Sequence, residues 1–239
     1  FRRVLFRSTQ ILSRRFSYFR FRVENISEVL KKHWGFSQFR PLQEEIINSA
    51  LEGRDTLALL PTGGGKSLCY QVPAMSQEGL CLVISPLIAL MKDQVENLRQ
   101  KNIRAAAAYS GMSRKEINLN IENCIHGNYK FLYVSPERLT TEHFKECVKQ
   151  MKVNLIAVDE AHCISQWGYD FRPAYLEIAA IREILPAVPV LALTATATKK
   201  VRADICGKLK FKHQNIICGS FERKNLSYVV FHAEDKLQR

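Results

Sequence analysis

The chain has 239 residues, of which 46% are hydrophobic and 24% are charged, a composition typical of globular proteins. The apolar runs all stay shorter than about eighteen residues, so the sequence predicts no membrane-spanning segment. The length suits one sizeable α/β domain and excludes two complete ones. The seven cysteines are odd in number and form no CxxC pair, which indicates free thiols in a reducing compartment.

The net charge of +12 indicates a polyanionic partner, but its distribution weakens that inference. Residues 1–23 contain seven arginines and no acidic residue, which leaves +5 for residues 24–239. An Arg-rich, acid-free start is typical of a transit peptide or a nucleic-acid-binding arm. Because the sequence opens with Phe1 in place of Met, we interpret residues 1–23 as a non-native or disordered extension and assign them no function.

From Glu24 onward, apolar runs of strand length alternate with segments of helical period. This alternation predicts an α/β fold, with a mostly parallel sheet and helices on both faces. The predicted strands are Thr56–Leu60, Leu80–Ser85, Ala105–Tyr109, Lys130–Val134, Asn154–Val158 and Val190–Thr194. The predicted helices are Pro41–Leu51, Leu87–Gln100, Arg114–Ile125, Glu142–Lys149, Tyr175–Leu185 and Lys199–Leu209.

Residues 24–210 are therefore predicted to form one domain. After it the strand-like pattern resumes with Ile216–Cys218 and Leu226–Phe231. We interpret residues 211–239 as a linker and the start of a truncated second domain.

A glycine-rich segment, PTGGGKS over residues 61–67, lies between the first predicted strand and a helix. Glycines let backbone N–H groups curl around phosphate oxygens, and a helix N-terminus adds partial positive charge. Lys66 is expected to reach the β and γ phosphates, and the Ser67 hydroxyl to bind Mg²⁺. The remaining expected nucleotide contacts are Thr62, Gly63, Gly64 and Gly65. The first glycine of the general phosphate-loop pattern is replaced by Leu60 or Pro61.

Two carboxylates, Asp159 and Glu160, directly follow the apolar run Asn154–Val158. The carboxyl ends of parallel strands are where such sheets bind ligands. Asp159 is expected to hold Mg²⁺, and Glu160 to orient and deprotonate the attacking water. An acidic pair alone is a common turn or helix cap, but the phosphate loop makes the catalytic interpretation the stronger one.

These motifs, together with others in the same order, resemble the RecQ branch of superfamily-two helicases over residues 26–230. The further motifs are GFSQFRPLQ (Gly35–Gln43), SPLIALMKDQ (Ser85–Gln94), SPERL (Ser135–Leu139), DEAHCISQWGYDFRPAY (Asp159–Tyr175), LTATAT (Leu193–Thr198) and SFERKNL (Ser220–Leu226). The resemblance implies a RecA-like P-loop domain, the first lobe of a two-lobed motor.

The same resemblance assigns adenine recognition to the segment before the phosphate loop. It implies that Gln43 brackets the adenine through its amide, that Phe36 stacks on the base, and that Arg40 packs beside it. Phe36 and Phe39 are also candidate core residues. We expect Phe39 to pack in the core and Phe36 to stack.

An aromatic-rich loop follows the acidic pair, with Trp167, Tyr169 and Phe171 beside Arg172. Aromatic rings stack on unpaired bases for about 1–3 kcal/mol per base, and arginine adds phosphate or cation–π contacts. By resemblance, this loop senses DNA and relays its presence to Glu160. Core packing of Trp167 and Phe171 is the alternative.

The residues assigned to the relay are His162 and Gln166. Further nucleic-acid contacts are expected where predicted strands end, at Ser85, Pro86, Ser135, Thr194 and Thr196. Ser and Thr at such positions are also ordinary caps and turns.

The resemblance implies a monomeric 3'–5' DNA helicase of recombination and repair that uses ATP and Mg²⁺. Its partner would be single-stranded or partly duplex DNA, in the bacterial cytoplasm or the eukaryotic nucleus. The family's zinc cluster, second lobe and arginine finger are absent, so we expect no zinc and no unwinding by this chain alone.

An RNA motor is the main alternative. A small-molecule kinase is a weaker alternative, because it would not explain the DEAH tetrapeptide or the aromatic loop. A non-enzymatic nucleic-acid-binding module with a decayed nucleotide site is also weaker, because the nucleotide-site residues are intact: Lys66, Ser67, Asp159 and Glu160.

Overall fold

The structure, a computed structural model, describes residues 24–219. Its strands are β1 (Thr56–Leu59), β2 (Leu80–Ile84), β3 (Ala105–Ala108), β4 (Phe131–Val134), β5 (Val153–Val158), β6 (Val190–Thr194) and β7 (Ile216–Cys218). Its α-helices are α1 (Ile26–Trp34), α2 (Gln43–Leu51), α3 (Lys66–Ser76), α4 (Ile88–Gln100), α5 (Arg114–His126), α6 (Glu142–Gln150), α7 (Ile178–Ile184) and α8 (Lys199–Lys208). Three 3₁₀ turns cover Pro136–Thr140, Ala161–Ile164 and Pro173–Glu177.

The seven strands form one parallel sheet in the order β3-β4-β2-β5-β6-β1-β7. All six predicted strands up to Thr194 are confirmed, each end lying within one residue of its predicted position. Because the strands are parallel, their carboxyl ends share one edge of the sheet. That edge carries the phosphate loop after β1 and the acidic pair after β5.

Side chains along each strand alternate between two hydrophobic cores, one on each face of the sheet. In β2, Leu82 and Ile84 pack in the core covered by α5 to α8, whereas Cys81 and Val83 pack in the core covered by α2 to α4. Helix α1 lies outside α3 in a smaller cluster, against which Phe39 is partly buried. The predicted α/β fold with helices on both faces is confirmed, as is the packing role of Phe39.

Some predicted boundaries were wrong, for local reasons. The helix expected from Pro41 begins at Gln43, because Leu42 has a left-handed backbone with φ of 69°. The helix expected from Tyr175 starts as the 3₁₀ turn Pro173–Glu177 and becomes α-helical only at Ile178. Helix α1 was not predicted; Asn25 caps its start and the left-handed Gly35 ends it.

The largest correction concerns β7, which we expected to begin a second domain. It pairs in parallel with β1, with Leu57 opposite Ile216, so this segment completes the first sheet. The Arg-rich residues 1–23, the run Leu226–Phe231 and the motif Ser220–Leu226 lie outside the described residues. Within residues 24–219, no helix combines the length and the apolarity that crossing a bilayer requires.

At the end of the sheet opposite the site, where the strands begin, one buried ion pair links several elements. Asp55 accepts two hydrogen bonds from the Arg182 guanidinium, at 2.7 and 2.6 Å. The same carboxylate accepts backbone N–H bonds from Val190, at the start of β6, and from Lys212, ahead of β7. One carboxylate therefore joins β1, α7, β6 and the segment leading into β7.

Candidate active site

The phosphate loop turns tightly between β1 and α3. Gly63 and Gly65 have φ of 78° and 77°, a left-handed conformation that favours glycine. A Cβ on Gly64 would lie 2.8 Å from the Pro61 carbonyl oxygen, too close for any side chain. Helix α3 begins at Lys66, so the N–H groups of its first turn, which have no partner inside the helix, face the loop. The predicted tight turn into a helix is present, and its binding of phosphate stays a prediction.

Gln43 and Arg40 are held against this loop. The Gln43 amide donates to the carbonyls of Gly64 and Gly65, at 3.4 and 3.1 Å, and accepts from the Arg40 N–H at 2.9 Å. Arg40 also donates from its guanidinium to the Gly63 carbonyl. Gln43 is only 1% exposed, so its amide braces the loop in this structure, and its contact with adenine stays a prediction. Phe36 is 50% exposed, as a ring available for stacking would be.

Asp159 and Glu160 follow β5 at the same edge. The Asp159 N–H donates to the Ile84 carbonyl at 2.8 Å, which fixes this turn to the neighbouring strand. Glu160 has φ of 47°, an uncommon value for a residue with a side chain, and such strain clusters at functional sites.

The two carboxylates have pKa values shifted in opposite directions. Burial, reinforced by the charge of Glu160, raises the pKa of Asp159 to about 6. A hydrogen bond from His162, aided by the charge of Lys66, lowers the pKa of Glu160. Glu160 is thus ionised at neutral pH, as a base must be, and Asp159 is a buried carboxylate whose charge a cation would stabilise.

We expect Asp159→Asn to stabilise the Mg²⁺-free chain above pH 6. The Asp159 pKa is 3.8 in the unfolded reference and about 6 in the fold, so this group's stabilising contribution is present below pH 3.8 and is lost as pH rises through 6. A neutral Asn avoids that loss, worth roughly 1–3 kcal/mol in the free energy of unfolding. Urea unfolding in chelator at pH 7.5 and pH 4.5 should show the gain shrinking at the lower pH. Exposed Asp93→Asn is the control, and an equal gain there would contradict the burial argument.

A chain of contacts leads from Glu160 to the end of β6. His162 Nδ1 lies 3.3 Å from Glu160 Oε2 and 3.0 Å from Thr194 Oγ1. Thr194 Oγ1 in turn donates to the Thr196 carbonyl at 3.1 Å. His162 is 4% exposed, so this link is shielded from water. The structure therefore connects one of the two predicted relay residues, His162, to Glu160. The other, Gln166, is exposed and forms no hydrogen bond within residues 24–219.

The aromatic loop lies on the surface. Trp167 is 63% exposed and Tyr169 is 80% exposed, which excludes core packing for both. The Tyr169 ring stacks on His162, with centroids 4.7 Å apart, and Lys200 Nζ lies 3.1 Å from the centroid of Trp167. Phe171 is half-buried. The stacking on His162 and the role of Lys200 were missed by sequence reasoning, because neither neighbour is adjacent in sequence or spaced by a recognisable period.

Arg172 has intramolecular partners where the sequence suggested nucleic acid. Its guanidinium donates to Asp170 Oδ2 at 3.2 and 3.1 Å and to the Pro86 carbonyl at 3.3 Å. It thus ties the aromatic loop to the segment after β2. Ser85, Ser135 and Thr194 do lie where strands end, but all three are buried. Direct nucleic-acid contacts of these four residues remain predictions.

Comparison with known proteins shows which family the chain belongs to. The sequence profile described as "DEAD/DEAH box helicase" matches residues 40–204. The chain belongs to the DEAD/DEAH box helicase family. It is 46% identical over 202 residues to the ATP-dependent DNA helicase RecQ of Haemophilus influenzae, covering 84% of this chain and 33% of that protein. It is 45% identical over 210 residues to RecQ of Bacillus subtilis, covering 87% of this chain and 36% of that protein.

The fold has solved counterparts among helicases. The Hef helicase domain of Pyrococcus furiosus superposes with a TM-score of 0.56 at 24% identity, covering 76% of this chain and 38% of that one. At that identity the likeness shows the fold alone, which is RecA-like. The chain spans about a third of the length of the two RecQ relatives.

Proposed function

We propose that the chain is the ATP-binding and ATP-hydrolysing lobe of a RecQ-type DNA helicase. The observation that carries this proposal is the continuous contact from Glu160 through His162 to the exposed aromatic loop. A site that only bound nucleotide would not need its general base connected to surface aromatics. The whole protein would use a second lobe to complete the ATP site and to unwind DNA with 3'–5' polarity in recombination and repair.

Mg²⁺ fits the residues present. Ser67 stands in the first turn of α3 and Asp159 at the end of β5, and hard oxygen ligands of this kind suit Mg²⁺. The raised pKa of Asp159 indicates a carboxylate that lacks a compensating charge. When bound, Mg²⁺ neutralises charge on the β and γ phosphates. The charge of Lys66 helps to lower the pKa of Glu160 and offsets part of the rise at Asp159, so Lys66 is near enough to contact phosphates at the same place.

The test of nucleotide binding uses the chain itself. We expect Lys66→Ala to weaken Mg-ATP or ADP binding about 10- to 100-fold, since charged hydrogen bonds contribute about 1.5–3 kcal/mol. Titration calorimetry measures the change, with exposed Lys115→Ala as the control. Equal losses in both variants would contradict the role of the phosphate loop. The wild type should prefer ATP to GTP, and equal affinities would contradict the assignment of Gln43.

We expect Trp167→Ala to leave the melting temperature nearly unchanged while sharply reducing stimulation of ATP hydrolysis by single-stranded DNA. The side chain is exposed, so its truncation leaves no cavity, but it removes a stacking platform. The measurement is a DNA-titrated ATPase assay on an enzyme completed with its second lobe, beside thermal melts.

The matched control is Trp34→Ala, because Trp34 packs against two hydrophobic clusters. That variant should melt earlier and retain DNA stimulation in its folded fraction. A large melting shift in Trp167→Ala would instead indicate a structural role. The same assay decides the RNA alternative, because stronger stimulation by single-stranded RNA than by DNA would replace the DNA motor with an RNA motor.

A further inference from the structure

Three side chains that could bind a metal ion lie close together at the turn after the acidic pair. They are His162, Cys163 and Asp170, and their ligand atoms all lie within 4.8 Å of one another. Cys163 Sγ is 3.8 Å from His162 Nε2 and 3.6 Å from Asp170 Oδ2. For a tetrahedral zinc ion, the bond lengths to S, N and O imply ligand-to-ligand distances of about 3.3–3.6 Å. Both distances from Cys163 Sγ are therefore within a few tenths of an ångström of those expected around a tetrahedral zinc ion.

The backbone brings these ligands together without help from a metal. His162 and Cys163 sit on the 3₁₀ turn Ala161–Ile164, and the Arg172 N–H donates to the Cys163 carbonyl at 2.8 Å. That hydrogen bond closes the aromatic loop and places Asp170 next to Cys163. Gly168 permits the turn, since a Cβ there would lie 2.8 Å from the His162 carbonyl oxygen.

The second ring nitrogen of His162 is already oriented. Metal-binding histidines usually donate their other N–H to a carboxylate or another oxygen, which fixes the tautomer and raises the basicity of the ligand. Here Nδ1 lies 3.0 Å from Thr194 Oγ1 and 3.3 Å from Glu160 Oε2. Nε2 is thus the nitrogen left to face Cys163.

We propose that His162 Nε2, Cys163 Sγ and Asp170 form a site for a thiophilic divalent cation of the zinc class, with water as the fourth ligand. No sequence motif indicated this site. Its ligands are an adjacent His-Cys pair and a carboxylate seven residues further along the chain, whereas zinc sites are commonly recognised by CxxC pairs. Binding forms one metal–sulfur bond and releases the Cys163 thiol proton to solvent. The metal competes with Arg172 for Asp170.

Occupancy would pin the aromatic loop to the turn that carries Glu160. If the proposed function is right, a bound metal would also hold His162, the residue that contacts Glu160, against the aromatic loop. Metal binding itself does not depend on that function, and the test below uses no nucleotide and no DNA.

Co²⁺ titration of the reduced, full chain provides the test. A thiolate charge-transfer band with the visible absorption of four-coordinate Co²⁺ is expected, and Zn²⁺ should displace both. Cys163→Ser should abolish the charge-transfer band, and Asp170→Asn should weaken Co²⁺ affinity about tenfold or more.

Two controls separate this site from other thiols. Cys147 Sγ lies 3.8 Å from His143 Nε2, the same sulfur-to-nitrogen distance, but no third ligand completes a cluster there within residues 24–219. Cys218 is exposed. Cys147→Ser and Cys218→Ser should both keep the band. No band in the wild type, a band that survives Cys163→Ser, or unchanged affinity in Asp170→Asn would each overturn the site.

Discussion

Replacing Arg182 with methionine should lower the free energy of unfolding by about 3–5 kcal/mol, because the variant leaves the buried carboxylate of Asp55 without its cationic partner. The side chains of Asp55 and Arg182 are 3% and 7% exposed, so water cannot replace the lost partner. Asp55 would keep its backbone donors, Val190 and Lys212, but lose both charge-assisted bonds. Since a domain is typically stable by only 5–15 kcal/mol, much of the margin would disappear.

Urea or thermal unfolding of the chain measures this effect, and Arg54→Met is the matched control. Arg54 also pairs with a carboxylate, Glu52 at 2.6 Å, but both side chains are more than half exposed. An exposed pair contributes about 0–1 kcal/mol, so that variant should melt close to the wild type. Equal losses at Arg54 and Arg182 would mean that burial does not decide the strength of the pair.

The positions of the sheet and of the phosphate and acid motifs could be predicted because they depend on local signals. Unbroken apolar runs such as Leu80–Ile84 specify strands buried on both faces, and glycines before Lys66 specify a turn into a helix. Both motifs then meet, since parallel strands put their ends on one edge.

The remaining features depend on long-range pairing, which leaves little local trace. The three-residue strand Ile216–Cys218 is too short to show from sequence which sheet it joins, and only its pairing with β1 shows that it belongs to this domain. Arg172 looked like a nucleic-acid contact because arginine commonly plays that role. Its partners, Asp170 and the Pro86 carbonyl, become visible only once the loop is folded. Lys200 likewise reaches Trp167 across the surface.

Glu160→Gln should slow ATP hydrolysis about 10²–10⁴-fold in an enzyme completed with its second lobe, and leave nucleotide affinity nearly unchanged. The amide has the same size and can still accept the bond from His162, but it cannot take a proton from water. Nucleotide affinity should persist because we propose that the phosphate contacts are made by the loop and by Lys66, and not by Glu160. Single-turnover hydrolysis and nucleotide titration, measured on the same preparation, separate the two effects.

The control for that experiment is Glu183→Gln, which removes a surface carboxylate paired with Lys210. It should leave both turnover and affinity unchanged. The Glu160 variant should also be insensitive to single-stranded DNA, because the contact through His162 would then end on a group that performs no proton transfer. If Glu160→Gln abolished nucleotide binding instead, Glu160 would be part of the binding site, and the general base would have to be sought elsewhere along the carboxyl edge of the sheet.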